Sequence, residues 1–137
     1  GGGLVSTASD YLKFLLMLGN KGVLSGERIL GRKTVELMTM NHLPDNADLS
    51  RMGQKVFSEM PFDGIGFGLG FSVTLDPAKA QILGSPGEYS WGGAASTTFW
   101  IDPVEDLIVI FLTQLIPSSS YPIRRELRVL TYQSIVD

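Results

Sequence analysis

The sequence contains no cysteine and a single histidine, His42. Disulfides, thiol nucleophiles and zinc sites built from several cysteines or histidines are therefore excluded. Charge is also sparse, with 11 basic and 14 acidic side chains and a net charge of −3. Binding to nucleic acid needs a basic face that neutralises phosphates, which this balance argues against. We expect no metal, no cofactor and no nucleic-acid partner.

Long hydrophobic runs are missing as well. No apolar run approaches the roughly 18 residues that a membrane helix requires, so we expect no membrane span. The 137 residues are 44% hydrophobic, which is enough for the core of one domain. The chain opens on three glycines instead of methionine. We interpret it as a piece of a longer protein whose remainder lies upstream, and we expect the uncovered apolar surface to promote self-association.

Helical spacing of apolar residues predicts three helices. The first covers 8–18, with Thr7 as its cap and Asp10 in its first turn. The second covers about 32–40. The third starts at Tyr121 and Pro122, and its basic residues between 124 and 128 are interpreted as a solvated face.

Alternating apolar residues predict three strands. One spans 64–77, with glycines on one face against which another element must press closely. The strand at 97–101 pairs with 107–114 as a hairpin, and the continuously apolar 107–114 is predicted to be buried on both faces. Segments 45–64 and 78–86 are predicted loops, the first with a short helical turn near 47–52. The fold class is therefore α+β: two N-terminal helices, a three-stranded antiparallel sheet and a C-terminal helix packed on it.

The segment 87–102 stands out, because its first half is almost bare of large side chains. Glycine within a strand often marks the close approach of another backbone or a ligand. We interpret this segment as a sheet edge that faces a pocket, although a simple glycine bulge would give the same pattern. Its second half alternates, with Thr97, Phe99 and Ile101 predicted on one face and Thr98, Trp100 and Asp102 on the other.

Nucleophilic machinery is absent from the sequence as printed. It has neither a Gly-x-Ser-x-Gly elbow nor a Ser-x-x-Lys motif. A Ser-His-Asp triad would need His42, which follows a helix without any supporting motif. The carboxylates Asp102, Glu105 and Asp106 are typical of a turn between strands rather than of a catalytic acid pair.

Three segments in this order and spacing resemble the C-terminal part of the serine β-lactamase-like superfamily. They are 1–12 (GGGLVSTASDYL), 66–71 (GFGLGF) and 89–95 (YSWGGAA), the last followed by FWIDP at 99–103. The superfamily includes class C β-lactamases, penicillin-binding-protein relatives and family VIII carboxylesterases. The esterase branch is the most similar, because Trp-Gly-Gly stands where β-lactamases carry Lys-Thr-Gly. Loss of that lysine removes a cation for a substrate carboxylate and favours neutral esters over penicillin-type substrates.

The resemblance implies a half-site within 1–137, taken as a single C-terminal fragment of a β-lactamase or transpeptidase-like domain. Trp91, Gly92 and Gly93 would bind substrate, the Ala94 backbone N–H would be one oxyanion donor, and Gln114 would line the pocket. The family's Ser-x-x-Lys and tyrosine motifs would lie upstream. The intact protein would then hydrolyse an ester, amide or lactam through an acyl-enzyme, and the fragment alone would be inactive. The alternative is a non-catalytic relative that binds a ligand or partner in the same groove.

Overall fold

The computed structural model describes residues 4–52 and 62–136. The central part of the predicted long loop, 53–61, lies outside these residues. The elements in chain order are α1 (Ala8–Gly19), β1 (Val23–Leu24), β2 (Glu27–Arg28), α2 (Arg32–Met38), two 3₁₀ turns (Pro44–Asn46 and Leu49–Met52), β3 (Ile65–Phe67), β4 (Ser72–Thr74), α3 (Pro77–Ala80), β5 (Tyr89–Gly92), β6 (Thr98–Asp102), β7 (Leu107–Phe111) and α4 (Ile123–Tyr132).

The main sheet has five antiparallel strands in the order β3-β4-β5-β6-β7. The prediction of three strands was wrong for two reasons: 64–77 folds into two strands instead of one, and the glycine-rich part of 87–102 forms a strand of its own, β5. Phe67 pairs with Ser72, and the Gly68 amide donates to the Phe71 carbonyl oxygen at 2.8 Å across the reversal. A separate two-stranded ladder, β1-β2, occupies the segment between α1 and α2.

The glycines of the β3-β4 hairpin make room for the end of α2. A Cβ atom added at Gly68 would collide with the carbonyl oxygen of Met38, the last residue of α2. The Leu69 amide donates to that same oxygen at 2.9 Å. The prediction that another element presses on the glycine face is therefore confirmed.

Segment 78–86 is not only a loop, because α3 occupies its start. Asp76 caps this short helix by accepting hydrogen bonds from the Ala78 and Lys79 amides at 3.0 and 3.1 Å. Pro77 suits the first helical position, where no amide hydrogen is needed. Within the described residues, no helix combines the length and hydropathy that crossing a bilayer requires.

Both faces of β6 are buried, and its alternation follows the sequence pattern. Phe99 and Ile101 are 7% and 2% exposed and join Leu15 of α1 in the apolar core. Trp100 and Asp102 are 1% and 0% exposed on the opposite face, where α4 contributes Arg128 and Tyr132 (see below).

Two expectations about strand position are corrected. The glycine-rich segment does not form a sheet edge, because β5 is the middle strand of five. Among the described residues, β3 and β7 are the two edge strands of the sheet. The five residues of β7 are all only partly buried, so the prediction that this apolar strand is buried on both faces is wrong.

Candidate functional site

The turn between β5 and β6, residues 93–97, carries the predicted oxyanion donor. The Gly93 amide donates to the Thr97 carbonyl oxygen at 2.9 Å, and the Ser96 amide donates to the Gly93 carbonyl oxygen at 3.1 Å. These bonds place Ala94 and Ala95 at the two central positions of a tight turn. Ala94 is exposed, and within the described part of the chain its amide donates no hydrogen bond.

Ser96 shows that the turn is held under constraint. Its φ is 64°, in the left-handed region, and it is fully buried. Its Oγ donates to the Leu115 carbonyl oxygen at 2.7 Å, which ties the turn to the segment after β7. Non-glycine residues persist in this conformation when their surroundings hold them there.

β5 extends past its neighbour on one side. Its pairing with β4 ends at Ser90, where the Ser72 Oγ donates to the Ser90 carbonyl oxygen at 2.8 Å. Trp91 and Gly92 continue the pairing with β6 only, as far as the described residues show. The Trp-Gly-Gly segment thus has one ladder side without a neighbouring strand, although it belongs to a central strand.

A cavity of about 350 Å³ opens beside this segment. Three of its walls are cross-strand neighbours, because Trp91 pairs with Phe99 and Phe99 pairs with Ile110. None of the lining residues carries a formal charge; they are Leu4, Ser6, Thr7, Tyr11, Trp91, Gly92, Gly93, Thr97, Thr98, Phe99, Ile110 and Leu112.

The structure brings together three of the five predicted site residues in this lining: Trp91, Gly92 and Gly93. Ala94 follows directly in the turn. Gln114, which was predicted to line the pocket, is not among the described lining residues, and it lies exposed beyond the end of β7. Leu112, two residues earlier, occupies the wall instead.

The aromatic walls are fixed by edge-to-face contacts. Trp91 is 42% exposed, and its ring centroid lies 5.2 Å from that of Phe67. Tyr11 of α1 meets Phe99 at 5.4 Å. Burial raises the pKa of Tyr11 above its usual value, so its phenol stays neutral near pH 7.

The N-terminus of α1 supplies the polar part of the lining. Thr7 caps the helix by accepting a hydrogen bond from the Asp10 amide at 3.2 Å, as predicted. Hydrogen bonds from Lys13 and Thr7 lower the pKa of Asp10, which keeps this exposed carboxylate ionised in the first turn. The cap therefore fixes Thr7 at the cavity.

Sequence reasoning missed Arg124, which reaches the turn from α4. Its Nη2 donates to the carbonyl oxygens of Gly93 and Thr97 at 2.6 and 2.9 Å. A Cβ added at Gly92 would lie 2.8 Å from this Nη2. Arg124 therefore occupies the space that the glycine leaves.

Arg128 corrects the interpretation of the basic run as a solvated face. It is 8% exposed, pairs with the buried Glu88 carboxyl group and donates to the Leu83 carbonyl oxygen at 3.1 Å. Its guanidinium carbon lies 4.7 Å from the centre of the Trp100 ring. A cation buried against two acceptors and an aromatic ring is a core contact, not a solvated one.

His42 and the metal-binding side chains add no catalytic set. The His42 Nε2 lies 2.8 Å from the Leu37 carbonyl oxygen, which ties the ring to the end of α2. Over the described ranges, no group of three or more histidine, cysteine, aspartate or glutamate residues is arranged to hold a metal ion. The chemical features of the site are thus the apolar cavity, the turn and its amide.

The sequence matches the Beta-lactamase family model over residues 1–133, and the chain belongs to this family. Two curated Mycobacterium tuberculosis proteins, Protein Rv1367c and Uncharacterized protein MT1414, are each 43% identical to it over 124 residues. That alignment covers 88% of this chain, which spans only 30% of the length of either relative.

Solved structures with a similar fold include a hydrolase and a synthase. EstCE1, described as a hydrolase with promiscuous acyltransferase activity, matches with a TM-score of 0.71 and 26% identity, over 93% of this chain and 30% of that one. Unliganded simvastatin synthase LovD from Aspergillus terreus matches with a TM-score of 0.69 and 26% identity, over 89% of this chain and 32% of that one. The chain is thus related to a hydrolase-type family.

Proposed function

We propose that this chain is the C-terminal half-site of a longer serine hydrolase of the β-lactamase-like family that acts on neutral esters. The observation that carries the proposal is the junction of an uncharged cavity with a turn whose Ala94 amide donates no hydrogen bond among the described residues. Backbone donors left open beside a concave apolar site are suited to bind a developing oxyanion. The similarity to EstCE1, described as a hydrolase with promiscuous acyltransferase activity, supports acyl chemistry.

The lining residues support neutral, largely apolar substrates. Trp91, Phe99, Ile110 and Leu112 provide aromatic and aliphatic walls, and no side chain of the lining is cationic. Among the described lining residues a substrate carboxylate would have no cationic partner, and desolvating it would be costly. The volume of about 350 Å³ lies at the small end of the range for ligand sites, about 300–1,000 Å³.

The proposed reaction takes place in two steps. A serine from the upstream region attacks the ester carbonyl while an adjacent base removes the serine proton. The oxyanion that forms accepts a hydrogen bond from the Ala94 N–H. The alcohol leaves with a proton and an acyl-enzyme remains. Water then attacks the acyl-enzyme, which releases the acid and restores the serine. Such a backbone donor can stabilise the transition state by about 3 kcal/mol.

The test starts by reading the gene upstream of Gly1 for Ser-x-x-Lys and a tyrosine motif. The intact protein is then assayed with p-nitrophenyl acetate and hexanoate, with and without a serine-directed phosphonate. We expect phosphonate-sensitive hydrolysis by the intact protein and none by the isolated chain. Absence of the serine or lysine, or hydrolysis by the isolated chain that the phosphonate blocks, would contradict the proposal. The first result would instead favour a non-catalytic binding relative.

A further inference from the structure

Arg124 contacts the Gly93–Ala94 peptide unit, whose N–H is the proposed oxyanion donor. Its Nη2 donates to the Gly93 carbonyl oxygen at 2.6 Å, and the nitrogen of that same peptide belongs to Ala94. The Gly93–Ala94 peptide is trans. In a planar trans peptide the C=O and N–H bonds point in opposite directions. The Ala94 N–H therefore points away from Arg124.

We infer that Arg124 is a positioning residue of the site: by holding the Gly93 carbonyl oxygen, it fixes the plane of the Gly93–Ala94 peptide and the direction of the Ala94 N–H. The inference rests on the proposed function for its catalytic meaning. Its structural content stands on the contacts alone. A charge-assisted bond to a peptide oxygen also polarises the peptide and strengthens the donor at its other end.

Arg124 completes the hydrogen bonding of both carbonyls that close the turn. The Gly93 oxygen accepts from the Ser96 amide and from Arg124, and the Thr97 oxygen accepts from the Gly93 amide and from Arg124. Each oxygen thus uses its two lone pairs. One cationic nitrogen between two carbonyl oxygens draws them together, and without it their partial charges would repel.

The place of Arg124 on α4 is unfavourable for the helix itself. It lies in the first turn, where the helix dipole disfavours a positive charge. Its hydrogen bonds to the Gly93 and Thr97 carbonyl oxygens offset this cost. Arg125, the next residue, is exposed and also cationic, and it provides a matched control in the same helical turn.

The test measures amide hydrogen exchange by NMR in the printed chain and in its Arg124→Ala, Arg124→Lys and Arg125→Ala variants. We expect Arg124→Ala to speed exchange of the Gly93 and Ser96 amides about 10-fold or more, while β6 amides such as Ile101 keep their protection. Both bonds come from one nitrogen, so Arg124→Lys should restore part of the protection. Arg125→Ala should change nothing.

The same variants in the intact enzyme separate this inference from the proposed function. We expect Arg124→Ala to lower kcat about 10- to 100-fold with KM within about threefold, because a misdirected donor is felt mainly in the transition state. Unchanged exchange in the turn would overturn the inference whatever the hydrolysis shows. Faster exchange with unchanged kcat would support the inference that Arg124 positions the turn, but it would contradict the role of Ala94 as oxyanion donor. If Arg124→Ala does not fold, Arg124→Lys and Arg124→Gln carry the same comparison.

Discussion

Arg124 and Arg128 lie four residues apart on α4 and contact opposite ends of the β5-β6 hairpin. Arg124 donates to two neutral backbone carbonyl oxygens of the turn that carries the exposed Ala94. Arg128 is buried between the Glu88 carboxyl group and the Trp100 ring. Two arginines one helical turn apart therefore have different partners: one holds a backbone turn, and the other neutralises a buried carboxylate.

The two ends differ in what they leave unsatisfied. At the buried end, the Tyr132 hydroxyl lies 2.7 Å from Glu88 and 2.8 Å from Asp102, and Asp102 also accepts from the Ser85 amide. At the turn, the Ala94 amide donates to none of the described residues. Burial of polar groups is costly unless they are paired, and the buried end pairs most of its groups. Among the described residues, its Glu88 Oε1 and Trp100 Nε1 atoms have no hydrogen-bond partner. The exposed amide at the second end is the donor that we propose for the oxyanion.

The largest effect should come from Arg128→Ala. It would leave the Glu88 carboxyl group, which is 1% exposed, without its cation. Breaking such a pair costs about 3–5 kcal/mol. Urea denaturation should show this loss, whereas the exposed control Arg125→Ala should change the free energy of unfolding by less than about 0.5 kcal/mol. Equal effects of the two variants would contradict the comparison.

Gly92→Ala should have the next largest effect. The new Cβ would lie 2.8 Å from the Arg124 Nη2 and 3.0 Å from the Thr97 carbonyl oxygen, so Arg124 must move away or the turn must shift, and either change disturbs their hydrogen bonds. We expect a loss of about 1–3 kcal/mol, as for other overpacked sites. Gly19→Ala is the control, because its Cβ would meet only Ile108 at an ordinary 3.4 Å. A stable Gly92→Ala variant with unchanged turn exchange would argue against close packing here.

Alkaline pH should weaken the buried end first. Burial, reinforced by the charge of Glu88, raises the pKa of Tyr132, and burial raises that of Tyr89 to about 12. Above about pH 10 the unfolded chain releases these protons and the folded chain retains them, so stability is full below pH 10 and falls as pH rises. The slope should reach about 1.4 kcal/mol per pH unit for each tyrosine. Denaturation at pH 9 to 11 should show a shallower decline in Tyr132→Phe than in the parent chain.

Trp91→Ala should have the smallest effect on stability. The ring is partly exposed and its edge-to-face contact with Phe67 is worth about 1 kcal/mol. In the intact enzyme we expect a higher KM for p-nitrophenyl hexanoate, since a wall of the cavity is lost. Trp91→Phe should retain most of both properties. A large stability loss with unchanged KM would make Trp91 a core residue rather than part of a binding surface.

Local patterns predicted the elements better than their arrangement. The period of two in 97–102 assigned Phe99 and Trp100 to opposite faces, and Thr7 was predicted correctly as the N-cap of α1, because both are local properties. The strand count was wrong because a tight reversal at 68–71 preserves an alternating pattern, and because the glycine-rich start of 87–102 was not recognised as a separate strand. Apolar content likewise could not distinguish the edge strand β7 from a buried one.

The site was only partly predictable for a related reason. The glycines drew attention to segment 87–102, but the resemblance to the β-lactamase-like superfamily is what proposed Trp91, Gly92 and Gly93 as site residues. The structure places these three in the cavity lining. Arg124 and Arg128 were assigned to solvent, since charges on an amphipathic helix usually face water. Knowing that Glu88 and Asp102 are buried would have indicated that polar partners from α4 must reach them. Their burial depends on how α4 packs against the sheet, which no local sequence pattern reports.

The spacing of the two arginines has a consequence for altering this molecule. Because Arg124 and Arg128 project from one helix a single turn apart, inserting or deleting one residue between them rotates one side chain relative to the other by about 100°. The β5-β6 hairpin could then not keep the contacts of both arginines. Chimeras with relatives should exchange α4 together with the β5-β6 hairpin as a matched pair.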